Sequence, residues 1–290
     1  MTIWNLGSIN ADMVYALPHL PGPGETLAAA GFQQFLGGKG TNMSVAAARA
    51  AAHVAHIGAV GPDGRWAKDR LTEYGVDTRF VAEVDTATGH AIIAVAADGE
   101  NQIILYPGAN RAIPETQLGL ALSEARPGDW LVMQNETCLQ AQAAKMARDL
   151  GLKVAYAAAP FDADAVQAVL PYLDFLILNA VEAAQLTQAK GQGPEALGIA
   201  DVIITQGAEG ATHLRQGDAA RHYPAQKVDP VDTTGAGDTF TGYVLAGLDR
   251  GLPMPQAIAQ ASLAAALMVT RRGTADVIPD LKDVQDARLG

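Results

Sequence analysis

Along the chain, short apolar runs rich in β-branched residues alternate with longer, alanine-rich runs whose apolar positions recur every three or four residues. The first kind fits strands buried on both faces; the second fits the helices that cover them. The pattern predicts strands over 3–6, 54–60, 130–134, 154–158, 175–178 and 202–205. It predicts helices over 42–51, 65–74, 139–150, 163–170, 181–188, 238–250 and 255–270. Such alternation gives a mostly parallel sheet between two helical layers, so the expected fold class is α/β, a three-layer α/β/α domain. No repeat or low-complexity linker divides the chain, and residues 1–290 are expected to form a single domain.

Two stretches break that rhythm. Residues 90–97 and 101–106 are β-type runs around Asp98-Gly99, a hairpin signal. Residues 12–35 lack helical periodicity and carry Pro18, Pro21 and Pro23. The expectation is that 12–35 and 90–106 pair into a small β-sheet lid projecting from the main domain. The alternative is an extension of the main sheet's edge.

Composition narrows the class. Hydrophobic residues make up 49% and charged residues 18%, the balance of a globular enzyme rather than a disordered chain. A formal charge of −11 argues against nucleic-acid or anionic-membrane partners. It leaves room for a phosphorylated ligand held by backbone amides. Cys138 is the only cysteine, which rules out an intrachain disulfide and a cysteine zinc cluster. The start M-T-I-W-N-L-G lacks signal-peptide character, and 257–269 is too short and too interrupted by Gln260 and Ser262 to span a membrane. A soluble, cytoplasmic protein is expected.

The densest chemistry lies in D-T-T-G-A-G-D-T-F-T-G, 232–242. From Asp238 onward, Phe240, Tyr243, Val244, Gly247 and Leu248 recur near helical spacing. Gly235-Ala236-Gly237 is therefore expected just before a helix N-terminus, where free N–H groups and the helix dipole attract anions. A carboxylate at that mouth repels phosphate unless it has work there, and taking a proton from an attacking hydroxyl is such work. The alternative is a turn with Asp238 as an ordinary cap.

Other polar groups sit at the ends of predicted strands. Asn10 and Asp12 of G-S-I-N-A-D are two apart, so an extended chain points both the same way, an amide beside a carboxylate that suits vicinal hydroxyls. An Asx turn is the plainer reading. G-G-K-G-T-N, 37–42, lets backbone approach a small ligand, and Asn42 offers donor and acceptor. It is not a Walker A loop, since Gln33 stands in place of the required glycine and Gly40 follows Lys39. A dinucleotide fingerprint fails as well, because Phe240 occupies the third glycine position. Glu136, Asn179 and the T-Q-G-A-E-G run from Thr205 follow β-type runs, where open α/β sheets place ligands. Asn179 and Glu182 share a helix start, either as a capping box or with Glu182 ordering the water shell of Mg2+.

Taken in order, G-S-I-N-A-D, P-G-E-T (23–26), G-G-K-G-T-N, the Asn179/Glu182 pair and D-T-T-G-A-G-D-T-F resemble the ribokinase, or phosphofructokinase-B-type, family of carbohydrate kinases. The likeness runs from Leu6 to about Gly273. It implies a ribokinase-like fold and ATP-dependent phosphorylation of a sugar, with D-ribose to D-ribose 5-phosphate the leading expectation. It implies that Asp238 is the base, and that Gly235, Ala236, Gly237 and the Asp238 amide form an anion hole. Asn10, Asp12, Gly38, Lys39, Asn42 and Glu136 fall at sugar-holding positions. Asn179, Thr205, Gly207 and Gly210 fall at nucleotide-binding positions, and Ser262 where the purine rests. Glu182 matches an acid near Mg2+. Asp232, with the carbonyls of Thr234, Met268, Arg271 and Gly273, corresponds to a monovalent-cation (K+) site.

The chain departs from the family pattern in three places. No second acid follows Asn179 directly, the stretch from Asn179 to Thr205 is short, and Val277 stands where a hydroxyl ligand is usual. A kinase for another sugar or a nucleoside is the nearest alternative, with Phe32, Phe35 and Tyr106 as an aromatic shelf. A non-catalytic sugar-binding regulator is the second. A homodimer is expected through outer lid positions such as Ile92 and Ile104.

Overall fold

The computed structural model describes residues 1–287. Its strands are β1 (Thr2–Leu6), β2 (Asn10–Leu17), β3 (Gly31–Gly37), β4 (His53–Val60), β5 (Val81–Glu83), β6 (Gly89–Ala96), β7 (Asn101–Tyr106), β8 (Trp130–Gln134), β9 (Lys153–Ala157), β10 (Phe175–Asn179), β11 (Asp201–Thr205), β12 (Ala211–Arg215) and β13 (Arg221–Tyr223). Its helices are α1 (Lys39–Arg49), α2 (Arg65–Glu73), α3 (Glu115–Ser123), α4 (Gln140–Asp149), α5 (Ala163–Val169), α6 (Ala180–Lys190), α7 (Ala236–Asp249), α8 (Met254–Val269) and α9 (Leu281–Asp286).

One nine-stranded sheet runs β13-β12-β11-β10-β9-β8-β1-β4-β5. Neighbours from β11 to β5 pair parallel, and β12 and β13 close one edge antiparallel. Successive residues of the central strands enter opposite cores. Ile3, Val132, Phe175 and Ile203 cluster with residues of α1, α7 and α8 such as Ala46, Val244 and Ile258. Trp4, Leu131, Leu176 and Val202 cluster with Leu122, Ala144, Val166 and Leu186 of α3 to α6. Burial on both faces is why these strands read as unbroken apolar runs. The chain goes from β1 to β4 on one side while β8 to β11 extend on the other, so a crevice opens at the C-terminal ends of β1 and β8.

The irregular stretches form a separate four-stranded sheet, β3-β2-β6-β7, and not an edge extension. β2 pairs antiparallel with β3 (Asn10↔Gly37) and parallel with β6 (Asn10↔Gly89). The β6–β7 hairpin turns at Gly99, φ +91°, with Glu100 N–H donating to Asp98 Oδ1 at 3.1 Å.

The six expected strands are found within one residue at each end, and most helices within two. Helix α1 starts three residues early, at Lys39, because Gly38 takes φ +98° and outside groups satisfy the first-turn amides. Helices α3 and α9 and strands β5, β12 and β13 were not anticipated. α1 and α7 pack backbone to backbone at Gly242, where an added Cβ would lie 2.6 Å from Met43 O and from Ala46 Cβ. One turn before that contact, on each helix, stand Asn42 and Asp238. A glycine on α7 and alanines on α1 thus set the spacing of two site residues.

Candidate active site

Helix α7 opens the site. Gly235 is its N-cap, at φ +77° and with no side-chain cap, so Ala236 and Gly237 lie inside the first turn rather than before it. Asp238 is therefore not the cap. Ala236 N–H donates to Thr233 O at 3.3 Å and Thr239 N–H to Gly235 O at 2.9 Å. The Gly237 and Asp238 N–H groups have no acceptor among the described residues. Two free amides at the positive end of a 14-residue helix are placed to receive an anion.

The Asp238 carboxylate is buried beside them and accepts from Asn42 Nδ2 at 2.9 Å. Burial pushes its carboxyl above the usual range, against the opposing pull of the Lys39 ammonium and the Asn42 bond. Lys39 is held above its ordinary value, chiefly by Asp238 and also by Glu136 and Glu182, so it stays cationic. Asn42 Oδ1 is buried with no partner among the described residues. An orphaned acceptor beside a basic carboxylate calls for a donor from outside the protein.

At the start of α1 the amides are closed instead. Lys39 N–H donates to Glu136 Oε2 at 3.1 Å, Gly40 N–H to Ser8 Oγ at 3.1 Å, and Thr41 N–H to Ser8 O at 2.9 Å. Ser8 Oγ also donates to Glu136 Oε2. Gly38 has room for no side chain, since a Cβ there would lie 2.9 Å from Ser8 O. Asp12 folds over Gly37, where a Cβ would overlap its carboxylate. Its carboxyl is pushed up to about 6, first by burial and then by the Glu136 charge. Asn10, also on β2, accepts from Asn110 Nδ2 at 2.7 Å.

A cavity of about 630 Å³ runs from α7 to the far end of the sheet. Lys39, Asn179, Glu182, Thr205, Gly207, Gly210, Ser262 and the 235–238 turn all line it. Asn10, Asp12, Gly38, Asn42 and Glu136 do not; of these, Glu136 is bonded to the Lys39 amide and Asn42 to Asp238, both of which do. Asn179 and Glu182 do form a capping box, with Glu182 N–H to Asn179 Oδ1 at 2.8 Å and Asn179 N–H to Glu182 Oε2 at 2.7 Å. The other Glu182 oxygen is unpaired among the described residues, and burial raises this carboxyl too. Thr205 Oγ1 donates to Leu178 O at 3.4 Å. Gly207 and Gly210 take φ +57° and +109°, conformations suited to glycine.

Asp232 joins two loops, accepting from Thr234 N at 2.9 Å and Gly273 N at 3.4 Å. Met268 O accepts from Arg271 N at 3.0 Å, and Met268 Cε lies 3.1 Å from where a Gly235 Cβ would sit. The 271–273 turn and the anion turn are thus contiguous. Among the described residues no group of three or more His, Cys, Asp or Glu side chains could hold a metal ion, and no helix is long and apolar enough to cross a membrane.

Residues 3–281 match the family described as pfkB family carbohydrate kinase. The chain belongs to that family. It is 36% identical over 293 residues to the ribokinase of Haemophilus influenzae, covering 96% of this chain and 95% of that one. It is 30% identical over 302 residues to the deoxyribokinase of Salmonella typhi, covering 99% and 98%. A structure of Arabidopsis thaliana ribokinase complexed with ribose and ATP superposes with a TM-score of 0.88 at 28% identity, covering 98% of this chain and 97% of that one.

In this pfkB carbohydrate kinase, sequence reasoning passed over two residues that hold the site together. Ser8 is fully buried and closes the Gly40 and Thr41 amides of α1; its signal was a small hydroxyl residue two positions past a buried strand. Asn110 is buried and bonded to Asn10, a hundred positions away, and nothing local marks it.

Proposed function

We propose that this carbohydrate kinase transfers the γ-phosphoryl group of ATP to D-ribose, giving D-ribose 5-phosphate and ADP. The observation that carries the reading is the pairing of buried Asp238 with the free Gly237 and Asp238 amides at one helix start. Asn42 Nδ2 occupies Asp238 Oδ2, which leaves Oδ1 for the sugar hydroxyl. That oxygen takes the hydroxyl proton while the hydroxyl oxygen bonds to the γ-phosphorus. The bond to the β,γ-bridging oxygen breaks and ADP leaves. Charge on the transferred group falls at the free Gly237 and Asp238 amides, where no reorganisation is needed to meet it. The raised Asp238 carboxyl makes a stronger base than an ordinary aspartate.

Asn10, Asp12, Gly38, Lys39, Asn42 and Glu136 hold the sugar in this reading, and Asn42 Oδ1 gains the donor it lacks. Asn179, Thr205, Gly207 and Gly210 face the nucleotide, with the purine near Ser262. The unpaired Glu182 oxygen fits the water shell of Mg2+, which when bound neutralises phosphate charge. Asp232, with the carbonyls of Thr234, Met268, Arg271 and Gly273, would hold K+ where the two loops meet. The four-stranded sheet acts as a lid that excludes water. The face of its β6–β7 hairpin away from Asp12 exposes Ile92 beside its register partner Ile104, an apolar pair suited to a two-fold dimer.

ADP release with ATP and Mg2+ tests the reading, using D-ribose, 2-deoxyribose, fructose, ketodeoxygluconate and adenosine, with and without K+. Strong turnover of ribose is expected. Preference for another acceptor overturns the substrate; silence across the panel overturns the activity.

A further inference from the structure

The sugar side of the site contains an amide whose orientation is decided elsewhere. An asparagine can present either its oxygen or its NH2 group to a ligand, and the two are nearly isosteric. For Asn10 the choice is fixed by a chain of hydrogen bonds that starts from a backbone amide. Ile9 N–H, which can only donate, points at the Asn110 side chain at 2.9 Å, so the atom facing it is Asn110 Oδ1. Asn110 Nδ2 therefore points the other way and donates to Asn10 at 2.7 Å, which makes that atom Asn10 Oδ1. The Asn10 NH2 group is left over. It has no protein partner among the described residues and is not among the sealed, unpaired atoms of the core, so it keeps access to solvent.

The pair cannot drift. It lies across Gly89, where an added Cβ would overlap both Asn110 Nδ2 and Asn10 Oδ1. Asn110 O accepts from Cys138 N at 3.2 Å, two residues past Glu136, and Asn110 N–H donates to Pro107 O at 3.1 Å. Asn110 thus ties together the starts of β2 and β6, the end of the β6–β7 hairpin and the loop carrying Glu136.

We propose that Asn110 is a positioning residue that fixes the polarity of Asn10, so that Asn10 meets the sugar only as a donor. The proposal rests on the sugar-kinase reading for the identity of the ligand, though not for the orientation itself. Its consequence is a directional site. Asp12 lies two residues on along the same strand face and accepts, while Asn10 donates. A hydroxyl between them can accept from Asn10 and donate to Asp12 at once. An acceptor sugar lacking that hydroxyl covers the Asn10 NH2 group without pairing it, which is the kind of loss that discriminates strongly.

The test swaps the polarity while keeping the shape. In Asn110→Asp at pH 8.5, both carboxylate oxygens accept, one from Ile9 N–H and the other from Asn10, whose amide must turn to donate. Asn10 then offers its oxygen to the sugar beside Asp12. We expect the KM for the best sugar acceptor to rise roughly 10- to 100-fold, with the KM for ATP within about twofold. In Asn110→Ala the Asn10 amide is free to choose, and the rise is a smaller fraction of that. Side-chain amide hydrogen exchange by NMR reads the orientation without any turnover. Asn10 NH2 should exchange quickly and Asn110 NH2 slowly in the native protein, and Asn10 NH2 should become protected in Asn110→Asp. An unchanged sugar KM in Asn110→Asp overturns the proposal even if the melting temperature drops, since that is the mark of a structural role alone. Protected Asn10 NH2 in the free native protein overturns it too. If the native enzyme turns over no sugar but shows the expected exchange pattern, the orientation is upheld and the kinase reading is what fails.

Discussion

Helices α1 and α7 both begin after glycine-rich turns and both point their N-termini at the same site, yet only one is open. At α1 the Lys39, Gly40 and Thr41 amides are taken by Glu136 and Ser8. At α7 the Gly237 and Asp238 amides are unclaimed. Each helix end carries the same dipole, so the difference lies in the partners that the sheet delivers. Strand β1 ends beside α1 and leaves Ser8 there, and β8 leads to Glu136; the Gly237 and Asp238 amides of α7 receive no such side chain among the described residues. A closed helix start positions side chains, here Lys39 and Asn42, whereas an open one binds charge.

The largest effect expected from breaking this contrast is at Asp238. Asp238→Asn keeps the shape and removes the proposed base, and kcat should fall roughly 10²- to 10⁴-fold with a modest change in sugar KM, measured by steady-state ADP release. Full activity would remove Asp238 from the chemistry.

Next comes pH. In the proposed sugar site the Asp12 carboxyl, pushed up to about 6, offers both oxygens as acceptors only when ionised, because protonation turns one of them into a donor. Below about pH 6 the ionised fraction falls by up to about tenfold per unit, so sugar KM should rise by at most about that factor per unit while ATP KM stays flat. Asp12→Asn should flatten the profile. For stability the sign is opposite. Between 3.8 and about 6 the folded state binds this proton more tightly than the unfolded chain, so the Asp12 contribution weakens as pH rises through that window.

Ser8→Ala sharpens the contrast from the closed side. It leaves the buried Gly40 N–H unpaired and should cost about 1–3 kcal/mol of stability in denaturant titrations. Its effect on kcat should be far smaller than that of Asp238→Asn. Smallest is the glycine pair of the open turn. Gly235→Ala meets a positive φ and nearby Met268 and Asn42 atoms, and should cost about 1–2 kcal/mol. At Gly237 an added Cβ meets nothing within 4 Å, so Gly237→Ala should leave stability unchanged or raise it by less than about 1 kcal/mol. Equal losses at the two positions would contradict the described turn.

Much of the layered fold was legible because strands buried on both faces and amphipathic helices leave distinct periods in the sequence. Strands β12 and β13 were missed for a related reason: they are short strands at one end of the sheet, β13 at its edge, with partly exposed residues and charges such as Arg215 and Arg221. Helix α3 was missed because Gly119 interrupts it and its apolar residues form only a weak stripe. The anion turn could be read locally, since glycines, acid and helix start lie within a dozen residues. The parallel pairing of β2 with β6 could not, nor could the Asn110–Asn10 bond, because both join segments far apart in the chain. The capping box at Asn179 shows the converse: the plain local reading was right, and the cavity still uses the same glutamate.

The most direct measurement is of backbone amide shifts by NMR when ADP, Mg2+, aluminium fluoride and D-ribose are added together, a mimic of the phosphoryl group in flight. The account predicts large shifts at the Gly237 and Asp238 amides and small ones at Gly40 and Thr41. Large shifts at Gly40 and Thr41 with Gly237 and Asp238 unmoved would contradict it.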